Sequence, residues 1–139
     1  MSFDPQALLT SLFYTAVAAA DPKKVLPGFL DAIPETLLPQ KGHGKVVVIG
    51  AGKAAAAMAV AIENHWDKGH LSGIVVTAYG HALPCRQIEV IEAAHPIPDG
   101  NSEIAAQRIL NLVADLNEDD LVICLLSGGG SSLLALPAP

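Results

Sequence analysis

The sequence has 139 residues, of which 51% are hydrophobic and 16% are charged, so it is long and apolar enough to build one domain with a real core. The net charge of −6 and the absence of a basic run argue against a nucleic-acid-binding surface. No apolar stretch is long enough to span a membrane, which argues against a membrane partner.

The first predicted element is a helix over residues 7–20 whose start is marked by Asp4 and Pro5. Its large apolar residues share one helical face: Leu8, Leu9, Leu12, Phe13, Ala16 and Val17. The stretch resembles a secretory signal in hydrophobicity, but Asp4 precedes it and no Lys or Arg does. We therefore predict that this helix packs into the core of a cytoplasmic protein.

A second helical segment is predicted to start at Asp21 and Pro22. Pro27 is expected to divide it into two short helical turns, because proline removes a backbone donor and clashes with the preceding turn. Prolines and glycines then mark an irregular connection that leads to the first strand.

Residues 46–57, VVVIGAGKAAAA, predict a strand, a tight turn and a helix over residues 53–65. The β-branched run is typical of a strand buried on both faces, and Gly50 and Gly52 allow the backbone to turn sharply and to approach a ligand. Free N–H groups at the helix start, the helix dipole and the charge of Lys53 favour a bound anion there. The alternative is a tight turn that binds nothing.

Further strands are predicted at 73–77, 88–92 and 121–126, with a helix over 101–115 before the last of them. This order predicts an α/β fold, a three-layer Rossmann-like domain with a mostly parallel sheet, preceded by amino-terminal helices. Strands 45–49, 73–77 and 121–126 are expected to run parallel in one sheet. Cys124 lies inside an apolar strand and is predicted to be a buried, reduced thiol.

Three loops follow strands that end at the same edge of this sheet, and they are predicted to converge on one cleft. The last of them consists of Ser127, Gly128, Gly129, Gly130, Ser131 and Ser132. Consecutive glycines can present successive N–H groups to an anion, and the serines add hydroxyl donors. A capped helix after a tight turn is the alternative.

The middle loop, residues 95–100, carries His95 and Asp99, either of which can bind a polar substrate or take part in proton transfer. The alternatives are that His95 forms a local hydrogen bond and that Asp99 caps the following helix.

The common nucleotide-binding signatures are incomplete. Residues 50–55 fit a relaxed dinucleotide fingerprint, but residues 76–78 lack the acid that would hold a ribose. A Walker A loop fails at Val47 and Ala54, and a hydrolase elbow fails at Leu133. No spacing of cysteines or acidic residues predicts a metal site in this chain.

Three stretches read together, VVVIGAGKAAAAMA, EAAHPIPDGNS and LLSGGGSSLLALP, resemble the amino-terminal domain of class II glycerate kinases. Members of that family are also named hydroxypyruvate reductases. The resemblance covers residues 7–139 and implies transfer of the γ-phosphoryl group of ATP to the 2-hydroxyl of D-glycerate. It also implies that residues 1–139 form an incomplete amino-terminal domain that lacks its partner, the carboxyl-terminal MOFRL domain.

By this resemblance, Lys53 is the catalytic or phosphate-stabilising lysine, and the turn at Gly50 and Gly52 and the loop 127–132 line the substrate and phosphate site. From their place on loop 95–100, and not from the resemblance, His95 and Asp99 are predicted to bind at the same site. ATP and Mg²⁺ are the implied cofactors, with their ligands mostly outside this chain. We expect a small hydroxy acid as substrate, allow for an oligomer, and expect these 139 residues alone to be inactive.

Two other functions stay open. One is an NAD(P)H-dependent hydroxypyruvate reductase, which the family's second name supports and the missing ribose-binding acid opposes. The other is a non-catalytic, anion-binding domain.

Overall fold

A computed structural model describes residues 3–40 and 43–137 of the chain. Its elements are α1 (Pro5–Ala19), α2 (Pro22–Asp31), a 3-10 turn (Glu35–Leu37), β1 (Val46–Ala51), α3 (Ala55–His65), β2 (Leu71–Ala78), β3 (Ile88–Ala93), α4 (Gly100–Ala114), β4 (Leu121–Leu126) and α5 (Gly130–Leu133). Within these two ranges, no helix combines the length and the apolar character that a membrane crossing requires.

The four strands form one parallel sheet in the order β3-β2-β1-β4. Val46 of β1 pairs with Leu71 of β2 on one side and with Leu121 of β4 on the other. The prediction that the first, second and last of these strands run parallel in one sheet is therefore confirmed. All four strands end at the same edge, which places the loops that follow them side by side.

Helices cover both faces of the sheet, so the predicted α/β fold class is confirmed. Under α2 and α3 lies a cluster of buried side chains: Leu30, Val46, Val48, Ala55, Ala59, Ile62, Leu71, Val75, Ile88 and Leu125. Under α4 and α5 lies a second cluster: Ala51, Ile74, Val76, Ala78, Ala93, Ala105, Ile109 and Leu133. The two clusters arise because successive side chains of a strand point to opposite faces.

Helix α2 is continuous, so the prediction that Pro27 divides this segment is wrong. Pro27 lies inside the helix and lacks the N–H that would bond to the preceding turn. Leu30 is buried and Leu26 packs against the same cluster, beside α3. Packing of this apolar face holds the helix together despite the missing bond.

Helix α1 forms as predicted, but it does not pack into the core. None of its residues is buried, and Leu9 and Phe13 are 66% and 64% exposed. The apolar periodicity identifies a helix and its face, but not what covers that face. In the described residues, α2 and α3 supply the helical side chains of the cluster on that face of the sheet.

Cys124 is exposed, which corrects the prediction of a buried thiol. Leu125 of β4 points towards α3 and is buried, whereas Val122, Cys124 and Leu126 point to the other face of the sheet and are exposed. Helix α4 packs mainly on β2 and β3. The apolar run therefore marks the strand correctly, while only one of its faces is covered by the described residues.

The start of β3 is held by a buried carboxylate on α3. One oxygen of Glu63 accepts the backbone N–H groups of Gln87 and Ile88 at 2.7 and 2.8 Å, and the other accepts that of Arg86 at 2.7 Å. The Arg86 guanidinium donates to the Glu63 carbonyl oxygen at 2.8 Å. Burial raises the pKa of Glu63, but these hydrogen bonds outweigh burial and hold the pKa below its ordinary value of 4.5.

We expect Glu63→Gln to lower the free energy of unfolding at pH 7 by about 2 kcal/mol, because an amide NH₂ would face a buried N–H donor. A folded-state pKa below the unfolded value means that the ionised carboxylate stabilises the fold above that unfolded value. This contribution is lost as the pH falls from 4.5 through the lower folded-state pKa.

Urea unfolding at several pH values tests this, with exposed Glu118→Gln as the matched control. The difference between wild type and Glu63→Gln should shrink on acidification. A difference that is constant with pH would contradict the proposed role of the charge.

Candidate functional site

The turn between β1 and α3 lies at the carboxyl edge of the sheet. Gly52 has a φ of 135°, a conformation that suits glycine, and its N–H donates to the Val76 carbonyl oxygen at 3.0 Å. A Cβ at Gly52 would overlap Ser127 of the loop after β4. The turn is therefore built to let two loops approach closely. Gly50, by contrast, lies inside β1 beside Leu125.

Three hydrogen bonds join this turn to the loop after β4. Ser127 N donates to the Ala51 carbonyl oxygen at 3.1 Å, and Lys53 N donates to the Gly128 carbonyl oxygen at 2.9 Å. The Ser127 hydroxyl oxygen accepts from Ala54 N at 3.0 Å. The backbone of Lys53 is thus fixed against residues 128–130, which we call the glycine run. The side chain of Lys53 is exposed.

Four N–H groups of the turn that leads into α3 are bonded within the chain, so the predicted anion site would have to use the donors of the first helical turn beyond them. Those of Gly52, Lys53 and Ala54 bond as described above, and that of Ala55 donates to the Gly52 carbonyl oxygen at 3.0 Å. Donors that are already bonded have little left to offer an anion. The positive group available at this turn is the Lys53 ammonium, which forms none of the ion pairs found among the described residues.

The glycine run keeps unbonded donors. Gly129 has a φ of 90° and precedes the short helix α5, and Gly130 N donates to the Ser127 carbonyl oxygen at 3.3 Å. Over residues 3–40 and 43–137, no acceptor is present for the backbone N–H groups of Gly128, Gly129 and Ser131. The Ser132 hydroxyl donates to the Gly129 carbonyl oxygen at 3.1 Å and so bonds within the loop.

His95 lies against the glycine run. A Cβ built on Gly129 would stand 2.6 Å from His95 Nε2, so the imidazole occupies the space that a side chain would take. The ring is half-buried, on the loop between β3 and α4. The structure thus brings together the backbone of Lys53, the glycine run and His95, as the prediction of converging loops required.

Asp99 is placed differently, at the alternative position that the sequence left open. It caps α4, accepting from Ser102 N at 3.2 Å and from Ala94 N at 3.3 Å, and it accepts from the Tyr79 hydroxyl at 2.7 Å. The Tyr79 hydrogen bond is the largest of the effects that hold the pKa of Asp99 below its ordinary value. Both carboxylate oxygens are engaged by donors of the chain itself.

Tyr79 is the residue that sequence reasoning missed. It follows β2 directly at the carboxyl edge, and Asn101 donates to its hydroxyl oxygen at 3.0 Å. A polar aromatic side chain at the end of a buried strand, beside the predicted cleft, is the signal that could have identified it.

A metal cluster and a large concavity were also considered for this site. In the described residues, no group of three or more His, Cys, Asp or Glu side chains can hold a metal ion. A concavity of about 940 Å³ lies at the opposite edge, where β1 and β2 begin, beside Lys45 and His70. Ligands of parallel α/β sheets bind outside the carboxyl ends of the strands, so we place the candidate site at the carboxyl edge.

Comparisons with known proteins agree with this architecture. A family model described as "Domain of unknown function (DUF4147)" matches residues 8–139. A putative hydroxypyruvate reductase of Agrobacterium vitis is 50% identical over 130 residues, covering 94% of this chain and 28% of the relative. A D-glycerate 2-kinase of Thermotoga maritima is 40% identical over 139 residues, covering 97% of this chain and 31% of the relative.

A crystal structure of a glycerate kinase from Thermotoga maritima superposes with a TM-score of 0.73 at 36% identity. The superposition covers 96% of this chain and 31% of that structure. The chain therefore spans about a third of the length of the relatives it matches.

The packing of His95 on Gly129 predicts unequal effects at two neighbouring glycines. Gly129→Ala should lower the free energy of unfolding by about 1–2 kcal/mol, because it strains a left-handed backbone and displaces the His95 ring. Gly128→Ala, whose Cβ would enter open space, should change it by less than about 0.5 kcal/mol. Chemical unfolding measures both, and equal losses would contradict the packing.

Proposed function

This chain belongs to the family described as "Domain of unknown function (DUF4147)", and we propose that it supplies part of the active site of a D-glycerate 2-kinase. Such an enzyme transfers the γ-phosphoryl group of ATP to the 2-hydroxyl of D-glycerate. A relative named for this activity aligns with 97% of the chain. The relatives are about three times as long, so the activity is proposed for the complete polypeptide that the gene encodes.

One observation carries the proposal. The hydrogen bond from Lys53 N to the Gly128 carbonyl oxygen places a lysine beside the glycine run, which has unbonded N–H groups. Phosphoryl transfer depends mainly on positioning the reactants and on stabilising negative charge. An exposed ammonium beside fixed backbone donors meets both needs, because the ammonium can stabilise the transferring group while the donors hold a substrate anion.

We assign roles on this basis. The Lys53 ammonium stabilises the charge of the phosphoryl group during transfer. The N–H groups of Gly128, Gly129 and Ser131 bind the carboxylate of the hydroxy acid or a phosphate, and His95 adds a polar group at the same edge. Ser127 and Gly52 hold the two loops together, and Asp99 shapes the loop that carries His95.

Among the described residues, no group of three or more His, Cys, Asp or Glu side chains is placed to hold a metal ion. We therefore assign no step to Mg²⁺ in this chain and propose that Mg²⁺ and most of the ATP are held elsewhere in the polypeptide, in a carboxyl-terminal domain. The hydroxy-acid substrate and a cytoplasmic location are part of the same proposal.

Hydroxypyruvate reduction is the second candidate, because the relative with 50% identity is named for it. The chain opposes it at the end of β2, where Val76, Thr77 and Ala78 occupy the positions at which a dinucleotide-binding fold carries the ribose-binding acid.

Assays of the full-length protein separate the two candidates. We expect ADP and 2-phosphoglycerate from D-glycerate and ATP. We expect no oxidation of NADH or NADPH with hydroxypyruvate. Oxidation of the nicotinamide without ADP formation would replace the kinase proposal by the reductase.

Lys53→Ala in the full-length protein should lower kcat by at least about a hundredfold, the effect of losing one strong transition-state stabiliser. Its Tm should change little, because the side chain is exposed and forms none of the ion pairs among the described residues. Lys24→Ala, an exposed lysine of α2, is the matched control and should retain full activity. Near-normal turnover by Lys53→Ala would refute the assigned role.

A further inference from the structure

The loop between β3 and α4 is closed by one carboxylate. Asp99 Oδ1 accepts from Ala94 N at 3.3 Å, where the loop leaves β3, and from Ser102 N at 3.2 Å, where α4 begins. The Ser102 hydroxyl lies 3.3 Å from both Asp99 N and Asp99 Oδ1. The two ends of residues 94–99 are therefore joined by a single oxygen atom.

The second oxygen of Asp99 accepts from Tyr79, which directly follows β2. The Tyr79 hydroxyl donates to Asp99 Oδ2 at 2.7 Å and accepts from the Asn101 side chain at 3.0 Å. Asn101 also donates to the Glu92 carbonyl oxygen at 3.1 Å, and Tyr79 N donates to that of Ala93 at 3.2 Å. These bonds join the end of β2 to both flanks of the loop.

Packing does not explain the placement of the Tyr79 ring. Tyr79 is 53% exposed, so its side chain contributes little to the core. The hydroxyl group donates one hydrogen bond and accepts another, so these bonds are the main contacts that place the side chain. A phenylalanine would keep the ring and lose only those bonds.

This network holds the loop that carries His95. Across the described ranges, the His95 imidazole forms no hydrogen bond with another group of the chain. Its position therefore depends on the backbone of the loop and on the contact with Gly129. A change in the loop should move the ring relative to the glycine run.

We propose that Tyr79 is a positioning residue that acts through Asp99 to fix loop 94–99 and thereby sets the place of His95 over Gly129. The placement of His95 is independent of the activity assigned above, whereas the kinetic consequence rests on the proposed kinase function. Hydrogen bonding to Asp99 raises the pKa of Tyr79 and lowers that of Asp99. The pair accordingly stays phenol and carboxylate through the neutral range.

The test compares Tyr79→Phe with Tyr14→Phe in the full-length protein. Tyr14 is also exposed, on α1, far along the chain from this network. Histidine-selective isotope labelling reports the imidazole signals by NMR, and the His95→Ala variant assigns the signal of His95 by its disappearance. We expect Tyr79→Phe to shift the His95 signal and Tyr14→Phe to leave it unchanged, with Tm nearly constant in both.

In kinetic assays with D-glycerate, Tyr79→Phe should lower kcat/KM by about tenfold, because displacing the His95 ring misplaces a group of the proposed site. In the His95→Ala background the same substitution should cause no further loss, because Tyr79 acts through His95. An equal loss in both backgrounds would overturn the proposal.

The NMR and kinetic results separate this proposal from the proposed function. If the protein lacks kinase activity but Tyr79→Phe still shifts the His95 signal, the positioning role stands and the kinase proposal fails. If the kinase is active and the His95 signal is unmoved by Tyr79→Phe, the positioning role is wrong and the kinase proposal stands.

Discussion

The site depends on the backbone hydrogen bonds between the turn after β1 and the loop after β4. Ala54 and Ser127 are 73 residues apart in the chain, yet they bond because β1 and β4 are neighbours in the sheet. These bonds fix the backbone of Lys53 beside the glycine run and also engage the N–H groups of Lys53 and Ala54. In the proposed site, the groups assigned to a ligand are the Lys53 ammonium, the N–H groups of the glycine run and His95.

Carboxylates hold the loop between β2 and β3 in a comparable way. β2 and β3 are parallel neighbours, but no helix joins them, and residues 79–87 connect them as an irregular loop. Glu92 accepts from Gly80 N and Ala82 N at the start of this loop, and Glu63 accepts three N–H groups at its end. Side-chain acceptors thus satisfy backbone donors that a crossover helix would have paired internally.

Polar side chains that hold loops by hydrogen bonds differ from those that have no partner among the described residues. Glu63, Glu92, Asp99 and Ser127 all point their oxygens at backbone donors, so their chemistry is committed to holding loops. Lys53 and His95 have no such commitment among the described residues. The proposed kinase activity needs groups that are unbonded but held in place, and the residues bonded to the backbone hold the loops that carry Lys53 and His95.

The sequence by itself determined the order of strands and helices, the parallel sheet and the edge at which the loops meet. Apolar runs, helical periodicity and glycine turns are local signals, and they act over a few residues. Tertiary structure alone decided that α1 and Cys124 are exposed, that α2 continues through Pro27, and that Tyr79 holds Asp99. Burial and hydrogen-bond pairing depend on which distant segments pack together, and one sequence pattern is compatible with several such arrangements.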